Sequence, residues 1–197
     1  ISLAGNRFGG DLAEIIVYDR VLNNAERIVV QNYLSSKYNI ALSLNDFYSH
    51  DATTAQPFFH DVAGVGKETL TNVHLASATS LVEINAVTTI NSNSYLFMGH
   101  DNGTIGGYSI ANSPTSYERI GRTWRADVTG TIGTVTFRVD VSQLPGGAAC
   151  QLAILTDGDN NFTSGATVTP LTQVGVSSIY QATLAIPDNS YFTIGRA

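Results

Sequence analysis

The chain has 197 residues, and its sixteen acidic against ten basic side chains give a formal net charge of −6. Because nucleic acids and anionic membrane surfaces attract basic proteins, this charge argues against both as partners. Charged residues make up only 13% of the sequence, and glycine is abundant. That composition favours an all-β extracellular module with many turns over a helical enzyme.

The first predicted element is an apolar β-strand over residues 9–22. A strand has two hydrogen-bonding edges and two faces, and one this apolar needs neighbours for both. We therefore expect strand 12–22 to pair with a segment that precedes Ile1 in a longer protein or with another chain.

A helix is predicted next, from residue 23 to about residue 38. Asn23 is a favourable N-cap, Glu26 follows three residues later, and Asn39 is a natural left-handed terminator. Four apolar or aromatic residues at helical spacing predict the face that docks on a sheet: Val30, Tyr33, Leu34 and Tyr38. A helix that binds a partner is the alternative, but its polar face is too weakly basic for a membrane surface.

From Asn45 onward the pattern changes to short strands separated by turns. Residues 134–141 alternate cleanly between apolar and polar side chains, as expected of a half-buried strand. Eight strands are predicted, over residues 61–65, 80–87, 94–98, 118–128, 133–141, 150–156, 179–186 and 191–194. This number and spacing predict an all-β fold, an antiparallel β-sandwich of jelly-roll or immunoglobulin-like type, together with the N-terminal strand and one α-helix. No apolar run is long enough to predict a transmembrane helix.

The acidic turn over residues 157–161 is the best candidate for a ligand site. Asp157, Asp159 and Asn161 have the opening spacing of a calcium-binding loop, because Ca²⁺ takes oxygen ligands from alternate positions. The later positions do not fit an EF-hand, since Phe162 stands in place of the glycine and Val168 in place of the bidentate glutamate. The sequence thus predicts either a calcium site or a solvated hairpin turn.

Four histidines, His50, His60, His74 and His100, and a single cysteine, Cys150, are the other candidates for chemistry. The histidine–aspartate pairs at 50–51 and 60–61 would make a credible metal site if they converged, but no two histidines have ligand spacing on one element. We therefore favour loop histidines with local hydrogen bonds. Cys150 is expected to be a buried apolar residue, and no nucleophile motif accompanies it. We expect a non-catalytic chain with no cofactor other than calcium.

Two parts of the chain resemble known families. Residues 10–22, followed by 25–27 and 33–38, resemble the C-terminal strand and helix of a laminin-G-like (concanavalin A-like) jelly-roll domain. The remainder resembles an uncharacterised β-domain of large secreted and cell-surface proteins of Bacteroidetes, on residues 61–67, 99–103, 122–125, 133–137 and 157–159. The resemblance implies that residues 1–44 are the incomplete end of the first domain and that residues 45–197 are a β-sandwich domain.

The resemblance also implies a module of a type IX-secreted, multidomain adhesin at the bacterial cell surface. Such a module would serve as a structural stalk or recognise glycans or surface proteins weakly, with repetition raising the overall affinity. The alternatives are an accessory carbohydrate-binding domain of a secreted polysaccharide-degrading enzyme and a subunit of an extracellular filament whose N-terminal strand pairs across subunits. Loop aromatics that would stack on sugars are Phe58, Phe59, Tyr108 and Tyr117, although a core position is expected for Phe58 or Phe59.

Overall fold

The computed structural model of the protein describes residues 9–51, 57–146 and 151–197. Within these ranges it contains one α-helix, α1 (Asn24–Tyr38), one short 3-10 helix (Val141–Gln143) and fourteen β-strands. The strands are β1 (His60–Lys67), β2 (Val73–His74), β3 (Ser77–Thr79), β4 (Val82–Val87), β5 (Ser94–His100), β6 (Tyr108–Ser109), β7 (Glu118–Ile120), β8 (Trp124–Thr129), β9 (Val135–Asp140), β10 (Leu152–Asp157), β11 (Thr167–Pro170), β12 (Thr172–Gln173), β13 (Ile179–Leu184) and β14 (Tyr191–Arg196).

The strands form two antiparallel sheets. The larger has the order β11-β10-β14-β8-β5-β1-β2, with β7 also paired to β14 and β6 paired to β7. The smaller has the order β12-β13-β9-β4-β3. Side chains from both sheets meet in one apolar core, where the Trp124 and Phe192 rings stack at 5.6 Å and Phe137 of the smaller sheet meets Phe192 edge-on at 5.2 Å. The predicted all-β antiparallel sandwich with one helix is confirmed.

Strand β9 shows how the sequence pattern produces this core. Val135, Phe137 and Val139 are buried, and the residues between them are half-buried. Since successive side chains of a strand point to opposite faces, this alternation places one face of β9 in the sandwich core. The alternation predicted for this segment is confirmed.

Helix α1 begins and ends as predicted. The Asn23 side chain accepts the Glu26 N–H while the Glu26 carboxylate accepts the Asn23 N–H, which is a capping box. Asn39 ends the helix in the left-handed conformation, with φ of 52°. The predicted docking face is wrong, because the buried residues are Ala25, Ile28, Val29, Asn32, Ser35 and Ser36.

The buried face of α1 combines aliphatic with small and polar side chains, and it packs on an aromatic part of the sheet surface. Tyr95 and Phe97 of β5 lie on the outer face of the larger sheet, in one cluster with the helix. Their rings lie over Gly66 and Gly64 of β1. A Cβ at Gly64 would lie 2.6 Å from the Phe97 ring, and one at Gly66 would overlap the Tyr95 ring. The glycines admit the rings close to the strand, and we call Tyr95 and Phe97 the aromatic shelf.

Asn32 joins the helix to the chain that follows it. Its amide nitrogen donates to the carbonyls of Ile28 and Asn45 at 2.9 and 2.8 Å. Its side-chain oxygen accepts the N–H groups of Phe47 and Tyr48 at 2.9 and 3.1 Å. Asn32 is only 1% exposed, so all four hydrogen bonds are shielded from water. They hold the Phe47 ring in a stacked contact with Tyr95, at 4.7 Å.

Two predicted strands differ from the structure. Residues 9–22 form no strand among the described residues, and most of their apolar side chains are exposed. A lone strand leaves its backbone groups without a ladder, and here the segment is instead tied to α1 through its side chains. The predicted strand 118–128 is divided into β7 and β8. It leaves the ladder at residues 121–123, where Thr193 donates to the Arg122 carbonyl and Asp101 accepts the Thr123 N–H.

Two further predictions concern the strand near Cys150 and the absence of a transmembrane helix. Predicted strand 150–156 corresponds to β10, which begins at Leu152, and Cys150 lies outside the described residues. No helix in the described ranges has the length and hydropathy needed to cross a membrane.

Candidate functional site

An open groove of about 440 Å³ lies where the N-terminal segment, α1, β1 and β3 meet. Its polar and aromatic lining comes from Tyr18, Tyr33, Asp61, Ser77 and Ser80. Aliphatic side chains from all four elements complete the lining. We call this feature the Asp61 groove, and its volume is typical of a small-molecule site.

A β-bulge places Asp61 at this groove. Strand β1 pairs with β5 through His60 with His100 and then through Ala63 with Met98. Two residues of β1, Asp61 and Val62, therefore stand opposite the single residue Gly99 of β5. Asp61 has φ of 46°, in the left-handed region that aspartate tolerates better than most residues. Bulges change the direction of a side chain, and this one brings the Asp61 carboxylate to the rim of the groove.

The buried His100 side chain forms a hydrogen bond with the Asp61 carboxylate. His100 Nε2 lies 3.1 Å from Asp61 Oδ2, and His100 Nδ1 accepts the Asn102 N–H at 3.0 Å. Because Nδ1 is an acceptor, the proton of the neutral ring is on Nε2 and is donated to Asp61. The His100 side chain is 2% exposed and the Asp61 side chain is 62% exposed. A buried imidazole thus fixes a solvent-facing carboxylate.

Burial lowers the pKa of His100 below its ordinary value, and the neighbouring Arg122 and His60 act in the same direction. The hydrogen bond and charge of Asp61 oppose this shift but do not overcome it. His100 is therefore neutral at neutral pH, as the hydrogen bond from Asn102 requires.

Arg122 holds the groove residue Ser80 in place through a hydrogen bond. Its Nε donates to the Gly103 carbonyl at 3.0 Å, and its Nη1 donates to Ser80 Oγ. Ser80 itself has φ of 50°. Because Ser80 Oγ accepts from Arg122, its own hydroxyl proton is left to donate elsewhere.

The N-terminal wall of the groove is held against α1 by two ion pairs. Lys37 donates to the Glu14 carboxylate at 3.0 Å and to the Tyr33 hydroxyl at 2.9 Å. Arg20 makes a bidentate contact with Glu26, at 2.7 and 2.8 Å. Chiefly because of the hydrogen bond from Arg20, the pKa of Glu26 falls to about 2. These contacts keep Tyr18 and Tyr33 on the same groove, with Tyr18 still 43% exposed.

The predicted calcium ligands lie at the end of β10 and in the turn that follows it. Asp157 is buried, and Asp159 and Asn161 are exposed. Each side chain accepts the backbone N–H two residues further on, over 2.8, 2.9 and 3.3 Å in chain order. The turn is thus built from three consecutive Asx turns. No group of three or more histidine, cysteine or acidic side chains suited to a metal occurs in the described part of the chain, and calcium here stays a prediction.

Three of the four histidines lie in strands and not in loops as predicted, namely His60 in β1, His74 in β2 and His100 in β5. His100 is hydrogen-bonded to Asp61, and the His60 ring stacks on the His100 ring at 5.7 Å. His50 Nε2 lies 3.8 Å from Asp127, whereas Asp51 accepts a hydrogen bond from Ser36. The cross-strand contact of His60 and His100 was not predictable from spacing, because it depends on the register of β1 against β5.

The four aromatic residues predicted to stack on sugars lie outside the Asp61 groove. Phe58 is buried, so the expected core position is confirmed. Tyr108 is half-buried under the Arg196 guanidinium, at 4.1 Å. Tyr117 packs against the cluster that contains Phe162 and also lines a separate open groove of about 630 Å³. The tyrosines of the Asp61 groove are instead Tyr18 and Tyr33, which the sequence had placed in a strand and in a helix face.

Fold and groove together define a β-sandwich domain with one helix docked on the larger sheet and an open groove beside that helix. The chain belongs to the family described as Domain of unknown function (DUF8202), whose model matches residues 26–190. The match begins within α1 and ends just before β14, so it spans the predicted boundary between residues 44 and 45. The division into 1–44 and 45–197 stays a prediction. No curated protein and no solved structure matches the chain.

Proposed function

We propose that this chain is a non-catalytic recognition module of a large secreted, cell-surface adhesin of bacteria, and that it contacts glycans or other surfaces weakly. The observation that carries the proposal is the Asp61 groove, an open site with two tyrosines and a carboxylate held by a buried histidine. Placing binding residues on a rigid β-sandwich is a common way to build a recognition site.

The groove supports binding better than catalysis. Among the described residues that line it, Asp61 is the single carboxylate, whereas most glycoside hydrolases need a pair. In a nucleophile–histidine–aspartate arrangement, the second ring nitrogen faces a hydroxyl or thiol. Here the second nitrogen of His100 accepts the Asn102 N–H instead.

A groove this open favours weak contacts that gain strength from repetition. Two contacts linked in one protein raise the overall affinity without new interactions, when both reach the surface at once. Export by a type IX system and a preceding laminin-G-like domain belong to the same proposal, and the resemblance of residues 10–38 supports them.

An adhesion assay tests the proposal. Microspheres carry either one copy of the chain or four copies in tandem, at equal site density, and flow over surfaces coated with yeast mannan, with a bacterial capsular polysaccharide or with albumin. We expect retention on at least one polysaccharide, increased more than tenfold by the tandem protein. If the folded tandem protein is retained on no surface, recognition is wrong and a structural stalk becomes the better function.

A second function, a filament subunit, is favoured by the exposed residues of the N-terminal segment. Leu12, Ile15, Val17 and Val21 are 64%, 72%, 85% and 93% exposed. A row of this kind would add a strand to a neighbouring subunit. Light scattering over a hundredfold concentration range separates the functions, since a filament subunit assembles and a recognition module stays monomeric. An accessory domain of a polysaccharide-degrading enzyme would share the groove and differ in its neighbouring domains.

A further inference from the structure

We infer that the Asp61 groove takes an uncharged sugar chain, with Tyr18 and Tyr33 against the C–H faces of the rings and Asp61 accepting hydrogen bonds from their hydroxyls. This inference rests on the proposed recognition function and names the class of ligand for that site.

The charge of the groove disfavours acidic glycans. Among the described residues lining it, Asp61 is the only formally charged one, and no lysine or arginine accompanies it. A sulfated, sialylated or uronic acid residue would place its anion beside this carboxylate, at a cost in binding energy. Two basic side chains border the lining and both are already paired. Arg122 is bonded to Gly103 and Ser80, and Lys37 donates to Glu14 and to the Tyr33 hydroxyl.

The polar groups of the groove match the hydroxyls of a sugar. Asp61 supplies carboxylate oxygens from a side chain that is mostly exposed yet held at one oxygen by His100. Hydrogen bonds to an ionised acceptor are stronger than those between neutral groups. Ser80 supplies a hydroxyl proton, because its oxygen already accepts from Arg122. A sugar hydroxyl donates and accepts, so it uses both groups.

The apolar groups of the groove match the other surface of a sugar. A pyranose ring presents C–H groups on its faces, and a tyrosine ring offers a flat apolar surface with a polar tip. Tyr18 and Tyr33 come from different elements and line one groove together with Val30, Ala63 and Ala78. The volume of about 440 Å³ has room for a short stretch of sugar rings.

A basic peptide is the main competing ligand, because a carboxylate also attracts lysine and arginine. An ion pair with a carboxylate as exposed as Asp61 contributes only about 0–1 kcal/mol. A lysine or arginine side chain also packs on a tyrosine ring, so the feature that discriminates is the hydroxyl donor of Ser80, from which a cationic group cannot accept. A neutral sugar uses all three features of the groove.

Amide-detected NMR titration of the intact chain tests the inference. The probes are tetra- to hexasaccharides of mannose, glucose, xylose and galactose, together with oligogalacturonate, sialyllactose and a lysine- and arginine-containing hexapeptide. We expect at least one neutral oligosaccharide to shift the amides around residues 16–18, 29–33 and 61–63, and the anionic sugars and the peptide to bind at least tenfold more weakly.

The groove variants make the test specific. Tyr33→Ala, Tyr18→Ala and Asp61→Asn should each lower the affinity at least tenfold, and Tyr33→Phe should keep it within about threefold because the ring remains. Asparagine also tolerates the left-handed conformation of position 61, so D61N is expected to keep the fold. Unchanged amide spectra away from the groove verify folding of each variant.

The inference is overturned if none of the neutral sugars binds, if the peptide or an anionic sugar binds more tightly, or if Y33A and D61N bind as the wild type does. Retention of the tandem protein in the adhesion assay with any of these results would leave the recognition function standing and remove only the sugar class. Loss of retention on every surface removes the recognition function itself.

Discussion

His100 Nε2 lies 3.1 Å from Asp61 Oδ2, and this hydrogen bond joins a side chain that is 2% exposed to one that is 62% exposed. It crosses the bulge of β1, where Asp61 stands in the left-handed conformation. A buried side chain therefore orients the Asp61 carboxylate, so a substitution at His100 alters the exposed groove.

The first prediction concerns stability against pH. Burial lowers the pKa of His100 and of His74 below the ordinary histidine value of about 6.5. The unfolded chain then binds more protons than the folded chain, so the free energy of unfolding is highest above that pH and falls as the pH drops below it. Urea unfolding between pH 8 and 5 should show this decline.

The His100→Gln variant isolates one contribution to that decline. Glutamine does not titrate, so the slope of stability against pH should be smaller than in the wild type, with the His74 part remaining. An equal slope in both proteins would show that His100 is not the group responsible.

The second prediction concerns the aromatic shelf. Gly66→Ala places a methyl group into the Tyr95 ring, and the overlap should cost about 1–3 kcal/mol of unfolding free energy. Gly107→Ala is the matched control, because nothing lies within 4 Å of a Cβ at that position. We expect the control to stay within about 0.5 kcal/mol of the wild type in urea unfolding. Equal stability of the two variants would contradict the close approach of β1 to Tyr95.

The third prediction concerns Asn32. Asn32→Asp replaces an amide donor by an oxygen facing the carbonyls of Ile28 and Asn45, and it should cost at least about 2 kcal/mol. Gln31→Ala is the control on the exposed side of the same helix and should change stability by less than about 0.5 kcal/mol. If N32D unfolds at the same urea concentration as Q31A, the four-bonded arrangement is wrong.

How far the sequence predicts this fold depends on whether the signal is local. The start and end of α1 follow from Asn23, Glu26 and Asn39, which act within a few residues. The docking face does not, because it is set by the aromatic shelf more than fifty residues later. Half of the buried positions are polar, namely Asn32, Ser35 and Ser36, so an apolar stripe alone does not identify this face. Two-residue strands such as β2 and β12 are too short to show any periodicity.

The candidate site was less predictable than the fold. Its lining comes from four separate stretches, 16–18, 29–33, 61–63 and 77–80, which only the tertiary structure brings together. The sequence suggests His60 as the partner of Asp61 in a metal site, whereas the structure pairs Asp61 with His100. The bulge that turns Asp61 toward His100 leaves no pattern in the sequence, because bulges depend on register.

The fourth prediction concerns the turn at residues 157–161. If Asp157, Asp159 and Asn161 hold Ca²⁺, adding calcium to chelator-treated protein raises the Tm, with a gain of about 2.7 kcal/mol at one hundred times Kd. Asp159→Asn should lose this gain, although asparagine preserves the acceptor for the Asn161 N–H. A Tm that is equal with calcium, with magnesium and with chelator would identify the segment as a solvated turn.

The only tryptophan of the sequence, Trp124, is fully buried, and its ring meets that of His100 edge-on at 6.0 Å. A protonated imidazole quenches indole emission far more strongly than a neutral one. The protein thus carries an intrinsic fluorophore beside the side chain that orients Asp61, and we expect its emission to fall as His100 is protonated in the folded state.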